Sequence, residues 1–156
     1  MGTDLSQINL LARREIEARI AGPLLKAFVK EFGREKVLAV TRELIGSLAK
    51  ESGRQLAQKV GGDSIRSFAK GMAAFSAGGA LEIKELELSD KRYVFNVTRC
   101  RYAEMYRELG LADLGVTLSC ARDFALVVGF NPRMRLTRTK TIMEGCDHCD
   151  FNITLE

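Results

Sequence analysis

The sequence has no tryptophan, only one histidine, two prolines and four cysteines among 156 residues. So little proline, with no low-complexity tract, argues against a long disordered linker. No apolar run approaches the roughly 20 residues that span a bilayer, and the longest covers only residues 124–130. Charged residues such as Asp4 and Arg13 interrupt the N-terminal segment, so no signal peptide is expected. We therefore expect a cytoplasmic protein without a membrane segment.

The composition is that of an ordinary globular protein, with 46% hydrophobic and 28% charged residues. This length fits a single domain. We expect one unit over residues 1–156, with a helical part at 1–80 and a part at 81–156 that carries the motifs. The net charge of +4 is small, and Lys and Arg are mixed with Asp and Glu. No concentrated basic face is evident, so nucleic acid is not an expected partner.

The first eighty residues carry apolar side chains at every third or fourth position, which predicts amphipathic helices. The first stripe is Leu5, Ile8, Ala12, Ile16 and Ile20. Gly22-Pro23 is predicted to break or restart this helix, because proline disrupts a helix interior. A longer helix, which Gly53 is a candidate to kink, places on one face Val37, Val40, Leu44, Leu48 and Ala49. Such stripes serve a core or a two-fold interface equally well, which leaves a homodimer open.

At Leu81 the apolar period changes to two, which predicts strands. The phase slips near Glu85, as it would at a β-bulge, and residues 81–88 and 93–99 form a predicted hairpin. One face of its second strand is apolar; the other, which suits a pocket, carries Asn96, Thr98 and Cys100. Helices are predicted at 101–109 and 114–128, and strands at 134–143 and 149–155. This β-β-α-α-β-β order predicts an α+β fold with one antiparallel sheet behind the helical layer.

The four cysteines and the histidine are the first candidates for chemistry. Cys146 and Cys149 have the spacing of a metal half-site, and His148 adds a possible nitrogen ligand. A closed zinc site needs four ligands, whereas Cys100 and Cys120 stand isolated in the sequence. Structural thiols, catalytic or substrate-contacting thiols, and a zinc site drawn from these five residues all remain open.

Asp123 stands on an otherwise apolar helix, three residues after Cys120, so that both project from one face. A carboxylate in that setting needs solvent, a partner or a function. The partner could be a strand arginine such as Arg138. The function could be that of a general base acting on water or on a thiol.

An ordered set of motifs in the second half resembles the L-2-amino-thiazoline-4-carboxylic acid hydrolase family over residues 90–156. The matching residues are Asn96-Val-Thr98-Arg-Cys100, Glu104, Leu109-Gly110, Cys120-Ala-Arg-Asp123, Asn131-Pro132, Arg138-Thr139-Lys-Thr141, Gly145 and Cys149-Asp150-Phe151. The resemblance implies hydrolytic opening of a small cyclic amidine, with no cofactor. Water adds to the ring carbon between nitrogen and sulfur, and the C–S bond breaks.

That reaction needs a base, a proton donor and a cation for the substrate carboxylate. The resemblance implies Asp123 as the base and Arg138 as the cation. The donor would be one of the thiols of Cys100, Cys120 and Cys149. Other substrate contacts would come from Asn96, Thr98 and Thr141.

The element order also looks like the small-molecule-binding domain named for 4-vinyl reductase, of which some sensory members hold zinc through cysteines. Here Thr141 stands where a further cysteine ligand would be expected. The sequence therefore carries two hypotheses. One is a hydrolase of a small cyclic carboxylate, and the other is a non-catalytic ligand-binding module, with a structural metal as an option.

Overall fold

A computed structural model of the protein describes Leu5 and residues 7–156. Two long helices come first, α1 (Leu10–Phe32) and α2 (Arg34–Val60). Two short ones follow, α3 (Ile65–Gly71) and α4 (Ala73–Ser76), with a 3-10 turn at Ala77–Gly79. Within these described residues no helix has the length and apolarity needed to cross a membrane.

The second half alternates strands and helices as predicted. Its elements are β1 (Leu81–Leu88), β2 (Arg92–Cys100), α5 (Arg101–Glu108), α6 (Ala112–Gly115), a π-helical segment (Val116–Cys120), α7 (Arg122–Phe130), β3 (Met134–Thr137), a 3-10 turn (Ile142–Glu144) and β4 (Cys149–Leu155). All strand pairs are antiparallel, in the order β1-β2-β4-β3. The α+β fold and the antiparallel sheet are thus confirmed.

The predicted bulge in the hairpin is present. The register of β1 against β2 shifts between Glu85 and Glu87, and again between Glu82 and Ile83. The apolar face of β2 is also as predicted, since Tyr93, Phe95 and Val97 are 4% exposed or less. This face packs against the helices and forms the main core.

Helix α1 does not break at Pro23, contrary to the sequence-based prediction. Contacts on both sides of the proline hold the helix together. A Cβ at Gly22 would lie 2.4 Å from a methyl carbon of Leu111, and Lys26 Nζ donates to the carbonyl of Gly110 at 2.7 Å. Tertiary packing therefore offsets the lost backbone hydrogen bond.

Gly53 does not kink α2, which continues to Val60. It allows α7 to approach instead, because a Cβ there would lie 2.2 Å from the carbonyl oxygen of Leu126. Gly129 on α7 allows the same close approach from the other side, because a Cβ there would lie 2.0 Å from the carbonyl oxygen of Lys50. The two glycines bring the backbones of α2 and α7 into direct contact.

Two predicted elements differ in extent. The helix predicted at 114–128 is α6, the π-helical segment and α7 in succession. The strand predicted at 134–143 ends at Thr137. Beyond it, Asp150 Oδ1 accepts hydrogen bonds from the backbone N–H groups of Thr139 and Lys140, at 2.9 and 2.5 Å, so the side chain takes the place of a strand partner.

Candidate functional site

A cavity of about 320 Å³ lies between the apolar face of the sheet and the helices. That volume is at the small end of the range for ligand pockets. Its sheet side is formed by Phe95, Val97, Cys149 and Phe151. The helical walls come from α1, α2, α3 and α7, and most of the lining side chains are apolar. The cavity is therefore on the opposite face of β2 from Asn96 and Thr98.

Arg138 is the most constrained polar side chain of this cavity. It directly follows β3, and its side chain is only 5% exposed. Its guanidinium carbon lies 5.1 Å from the ring centroid of Phe124 and 5.0 Å from that of Phe151, so the cation sits between two aromatic rings. Nη2 donates to the carbonyl oxygen of Cys120 at 3.0 Å, and Nη1 donates to Asp123 Oδ2.

Asp123 lines the cavity from the first turn of α7. Arg138 is therefore the ion-pair partner of Asp123, which was one of the alternatives that the sequence left open. Burial raises the pKa of Asp123, and the positive charge of Arg138 acts against that rise. The carboxylate is thus held in place and is still 34% exposed, so that a molecule in the cavity can touch it.

The π-helical segment immediately precedes Asp123. π-helical turns are rare and occur often at functional sites. Here the segment ends at Cys120, whose carbonyl accepts the hydrogen bond from Arg138. Both Cys120 and Asp123 line the cavity, as their predicted common face required.

Three of the four thiols, those of Cys100, Cys120 and Cys149, line the same cavity. Cys149 lies directly opposite Val97 in the sheet. Cys100 follows Val97 by three positions and would point away from the cavity in a regular strand. The register shift opposite Glu82 and Ile83 turns it to the cavity side. The bulge therefore brings Cys100 to the same cavity as Cys120 and Cys149.

These thiols are protonated at neutral pH. Burial raises the pKa of Cys100 to about 11, and it raises the pKa values of Cys120 and Cys149 as well. Cys149 Sγ also accepts a hydrogen bond from the backbone N–H of Ile142 at 3.2 Å. Since the thiolate is the nucleophilic form, the thiols in this state are poor nucleophiles. The same rise in pKa makes them weaker proton donors than an ordinary thiol.

Other predicted site residues lie outside the cavity lining. The exposed Thr98 hydroxyl donates to the Glu82 carbonyl at 3.4 Å, and Asn96 is opposite Asp150 in the sheet. Thr141 caps the 3-10 turn: its hydroxyl accepts from the N–H of Glu144 at 3.1 Å and donates to that residue's carboxylate at 2.6 Å.

Cys146 and His148 also lie apart from the three cavity thiols. His148 Nδ1 is 2.7 Å from the carboxylate of Asp147, which is exposed. In the part of the chain that the structure describes, no group of three or more His, Cys, Asp or Glu side chains is arranged to hold a metal ion.

The charge of the cavity was not foreseen from the sequence. Its lining includes five cationic side chains, those of Arg13, Arg14, Lys59, Arg122 and Arg138, and within the described residues a single carboxylate, Asp123. Burial lowers the pKa of Arg122, and the nearby charge of Arg14 adds to that effect. The Nε of Arg13 is buried and has no hydrogen-bond partner among the described residues. Of these five, Arg138 was predicted as the cation of the site, and Arg122 lies within the Cys120-Ala-Arg-Asp123 motif.

The fold and the cavity together define an α+β domain that encloses a small, cation-rich pocket. The chain belongs to the L-2-amino-thiazoline-4-carboxylic acid hydrolase family, whose profile matches residues 13–153. The match thus extends through the helical half, beyond the motifs in residues 90–156. No curated protein matches the chain in sequence.

Two solved structures share the fold. One is the phenol-responsive sensory domain of the transcription activator PoxR, with phenol. Its TM-score is 0.57 at 14% identity, over 86% of this chain and 72% of that one. The other is trafficking protein particle complex subunit 3 from Naegleria fowleri, covalently bound to palmitic acid. Its TM-score is 0.56 at 13% identity, over 92% of this chain and 95% of that one. At these identities the likeness establishes the fold alone.

Proposed function

We propose that this protein binds a small cyclic anion, such as an aromatic or heterocyclic carboxylate, in the cavity beside Arg138. The observation that carries the proposal is the combination of an apolar lining with five cationic side chains and one carboxylate. The apolar walls suit a ring, and the excess positive charge suits one negative group on it. The structural relatives support it, because one was solved with phenol and the other with palmitic acid.

The position of the anionic group follows from the contacts of Arg138. That guanidinium is already held by Asp123 and by the Cys120 carbonyl. The ligand's negative group is therefore better placed near Arg122, which lines the cavity and makes no ion pair among the described residues. Arg138 and Asp123 then orient the opposite, polar edge of the ring.

Calorimetric titration with matched ligands tests this proposal. We expect benzoate or a thiazoline carboxylate to bind at least about tenfold more tightly than its neutral amide, since one charge-assisted hydrogen bond contributes about 1.5–3 kcal/mol. Arg122→Gln should remove that preference, whereas Arg135→Gln, at an exposed position of β3 outside the cavity, should keep it. Equal binding of acid and amide by the wild type would refute the proposal.

Hydrolysis is the second candidate, and family membership together with the cavity position of Asp123 favours it. In this reaction Asp123 takes a proton from water as the oxygen attacks the ring carbon between nitrogen and sulfur. The C–S bond then breaks, and Asp123 gives that proton to the departing sulfur, so its carboxylate is regenerated. The second hydrogen of the water moves to the ring nitrogen as the C=O bond of the product forms.

Ring opening of a thiazoline carboxylate releases a product with a free thiol, which a thiol reagent and mass spectrometry detect. For the hydrolase we expect product from the wild type and a loss of at least about 100-fold in Asp123→Asn, within the range for general base catalysis. Tight binding without product would leave the ligand-binding function and exclude this reaction. Product at equal rates from both proteins would remove Asp123 from the mechanism.

A further inference from the structure

The outer surface of α1 and α2 exposes more apolar area than is usual for a monomeric protein. Eight large apolar side chains on these helices are between 41% and 69% exposed, and we call them the α1–α2 face: Ile16, Ile20, Leu24, Phe28, Phe32, Val40, Leu44 and Leu48. Five of them belong to the apolar stripes that, from the sequence, suit a core or a two-fold interface equally well. The structure turns them outward, while Val37 and Ala49 of the second stripe are buried.

The two helices diverge enough to leave a groove of about 440 Å³ between them. Its floor includes Leu25, Val37, Ile45 and Leu118, and five residues of the α1–α2 face form its rims. Among the described residues that line it, Lys36 alone carries a charge. A groove of this kind accepts apolar side chains from another helix as knobs.

The area of this face matches one side of a stable dimer interface. From their exposed fractions, the eight residues present roughly 800 Å², about the area each partner contributes to a standard interface. The largest apolar patch of a typical monomer covers about 300–600 Å². The face therefore exceeds what a monomer usually leaves in water.

Several charged side chains of α1 and α2 are already paired within their own helix. Arg14 pairs with Glu17 and Arg19 with Glu15 on α1, and Arg54 pairs with Glu51 on α2. Because these ion pairs are internal to each helix, the best occupant is another long, apolar helical surface. A second copy of this chain presents such a surface, and two-fold symmetry brings identical patches together.

We infer that the protein forms a two-fold homodimer in which the α1–α2 face of each protomer packs against that of the other. The interface is a four-helix arrangement, with apolar side chains of each copy entering the groove of its partner. It lies on the outer surface of α1 and α2, so the inference does not depend on what the cavity binds.

Analytical ultracentrifugation of the whole protein tests this inference. At about 50 µM we expect a mass twice the 17.3 kDa of one chain. Leu44→Glu on α2 and Phe28→Glu on α1 should each raise the dimer dissociation constant by at least about 30-fold. Leu86→Glu is the matched control, since Leu86 is 52% exposed on β1, outside the face, and should leave the dimer intact.

Both charged variants replace side chains that are already exposed in the protomer, so their circular dichroism spectra should match the wild type. If either unfolds, Leu44→Gln gives the same test with a milder change. A monomeric wild type at about 50 µM, or a dimer that survives both substitutions, would overturn the inference. So would a monomer that sediments with phosphatidylcholine vesicles, because the face would then serve a lipid surface.

Discussion

Replacing Arg138 by glutamine removes several contacts of the cavity at once. The ion pair with Asp123, the hydrogen bond to the Cys120 carbonyl and the position between Phe124 and Phe151 are all lost. Breaking a buried pair costs about 3–5 kcal/mol, and a cation–π contact contributes about 0.5–2 kcal/mol. Since Asp123 is 34% exposed, the lower part of these ranges applies. We expect the free energy of unfolding to fall by about 3 kcal/mol.

Asp123→Asn is the milder change, because the amide oxygen can still accept from Arg138, whose other contacts remain. We expect a loss of about 1–2 kcal/mol. The double variant should lose less stability than the sum of the two single losses. The difference, at least about 1 kcal/mol, measures the coupling energy of the pair. Urea unfolding, monitored by circular dichroism, measures the stability of the wild type, the two single variants and the double variant. Arg92→Gln, in an exposed pair with Glu87, is the control and should cost less than about 1 kcal/mol.

The pH dependence of Arg138→Gln has a definite sign. Burial raises the pKa of Asp123, and loss of the arginine removes the opposing charge. The Asp123 carboxyl of the folded variant therefore holds a proton at a pH where the unfolded chain has released it, so the stability that this group contributes is complete below about pH 4 and is lost as pH rises. The deficit relative to wild type should be smaller at about pH 5 than at about pH 7. Additive losses in the cycle, or a deficit independent of pH, would refute the assignment of a coupled pair.

Further predictions concern packing, ionisation and capping. Gly53→Ala should lower the free energy of unfolding by at least about 2 kcal/mol, because its Cβ meets the α7 backbone. Gly46→Ala, where nothing lies within 4 Å of the added Cβ, should raise it by about 0.5–1 kcal/mol. Equal effects of the two substitutions in urea unfolding would contradict the close approach of α2 and α7. Because the pKa of Cys100 is raised to about 11, its contribution to stability should be complete below about pH 8.5 and be lost as pH rises to about 11. Its alkylation, read by mass spectrometry against Cys146 outside the cavity, should be the slower at neutral pH; faster labelling of Cys100 would contradict the burial. Ser64→Ala should cost about 1 kcal/mol, since the hydroxyl caps α3 by accepting from the N–H of Ser67, and an unchanged urea midpoint would contradict this.

Local patterns were enough to predict the sheet. Alternation marked the buried face of β2, and the slip in that alternation marked a bulge at Glu85. The end of β3 was not predictable in this way, because no local pattern indicates that the Asp150 side chain accepts hydrogen bonds from the backbone beyond Thr137. The continuity of α1 through Pro23 also depends on partners far along the chain.

The candidate site was predicted in part. Cys120 and Asp123 face the cavity together because their spacing is local, and Arg138 was one of the partners considered for Asp123. Cys100 reaches the cavity only through a register shift that its own sequence neighbours do not reveal. The arginines of α1 join the site through tertiary packing, with more than a hundred residues between Arg13 and Asp123. The polar groups at the centre of the site were therefore predictable from the sequence, whereas the excess of positive charge around them was not.

The π-helical segment before α7 makes the chemistry of this cavity depend on chain length as well as on residue identity. A π turn contains about one residue more than an α turn, and each residue of an α-helix advances about 100° around the axis. Deleting one residue between Val116 and Cys120 would restore a regular helix and turn Asp123 away from Arg138. Deletion of Thr117 or Leu118, neither of which lines the cavity, would thus keep every cavity residue in the sequence and still move the Asp123 carboxylate away from Arg138. Two homologous chains with the same cavity residues can therefore differ in where this carboxylate lies.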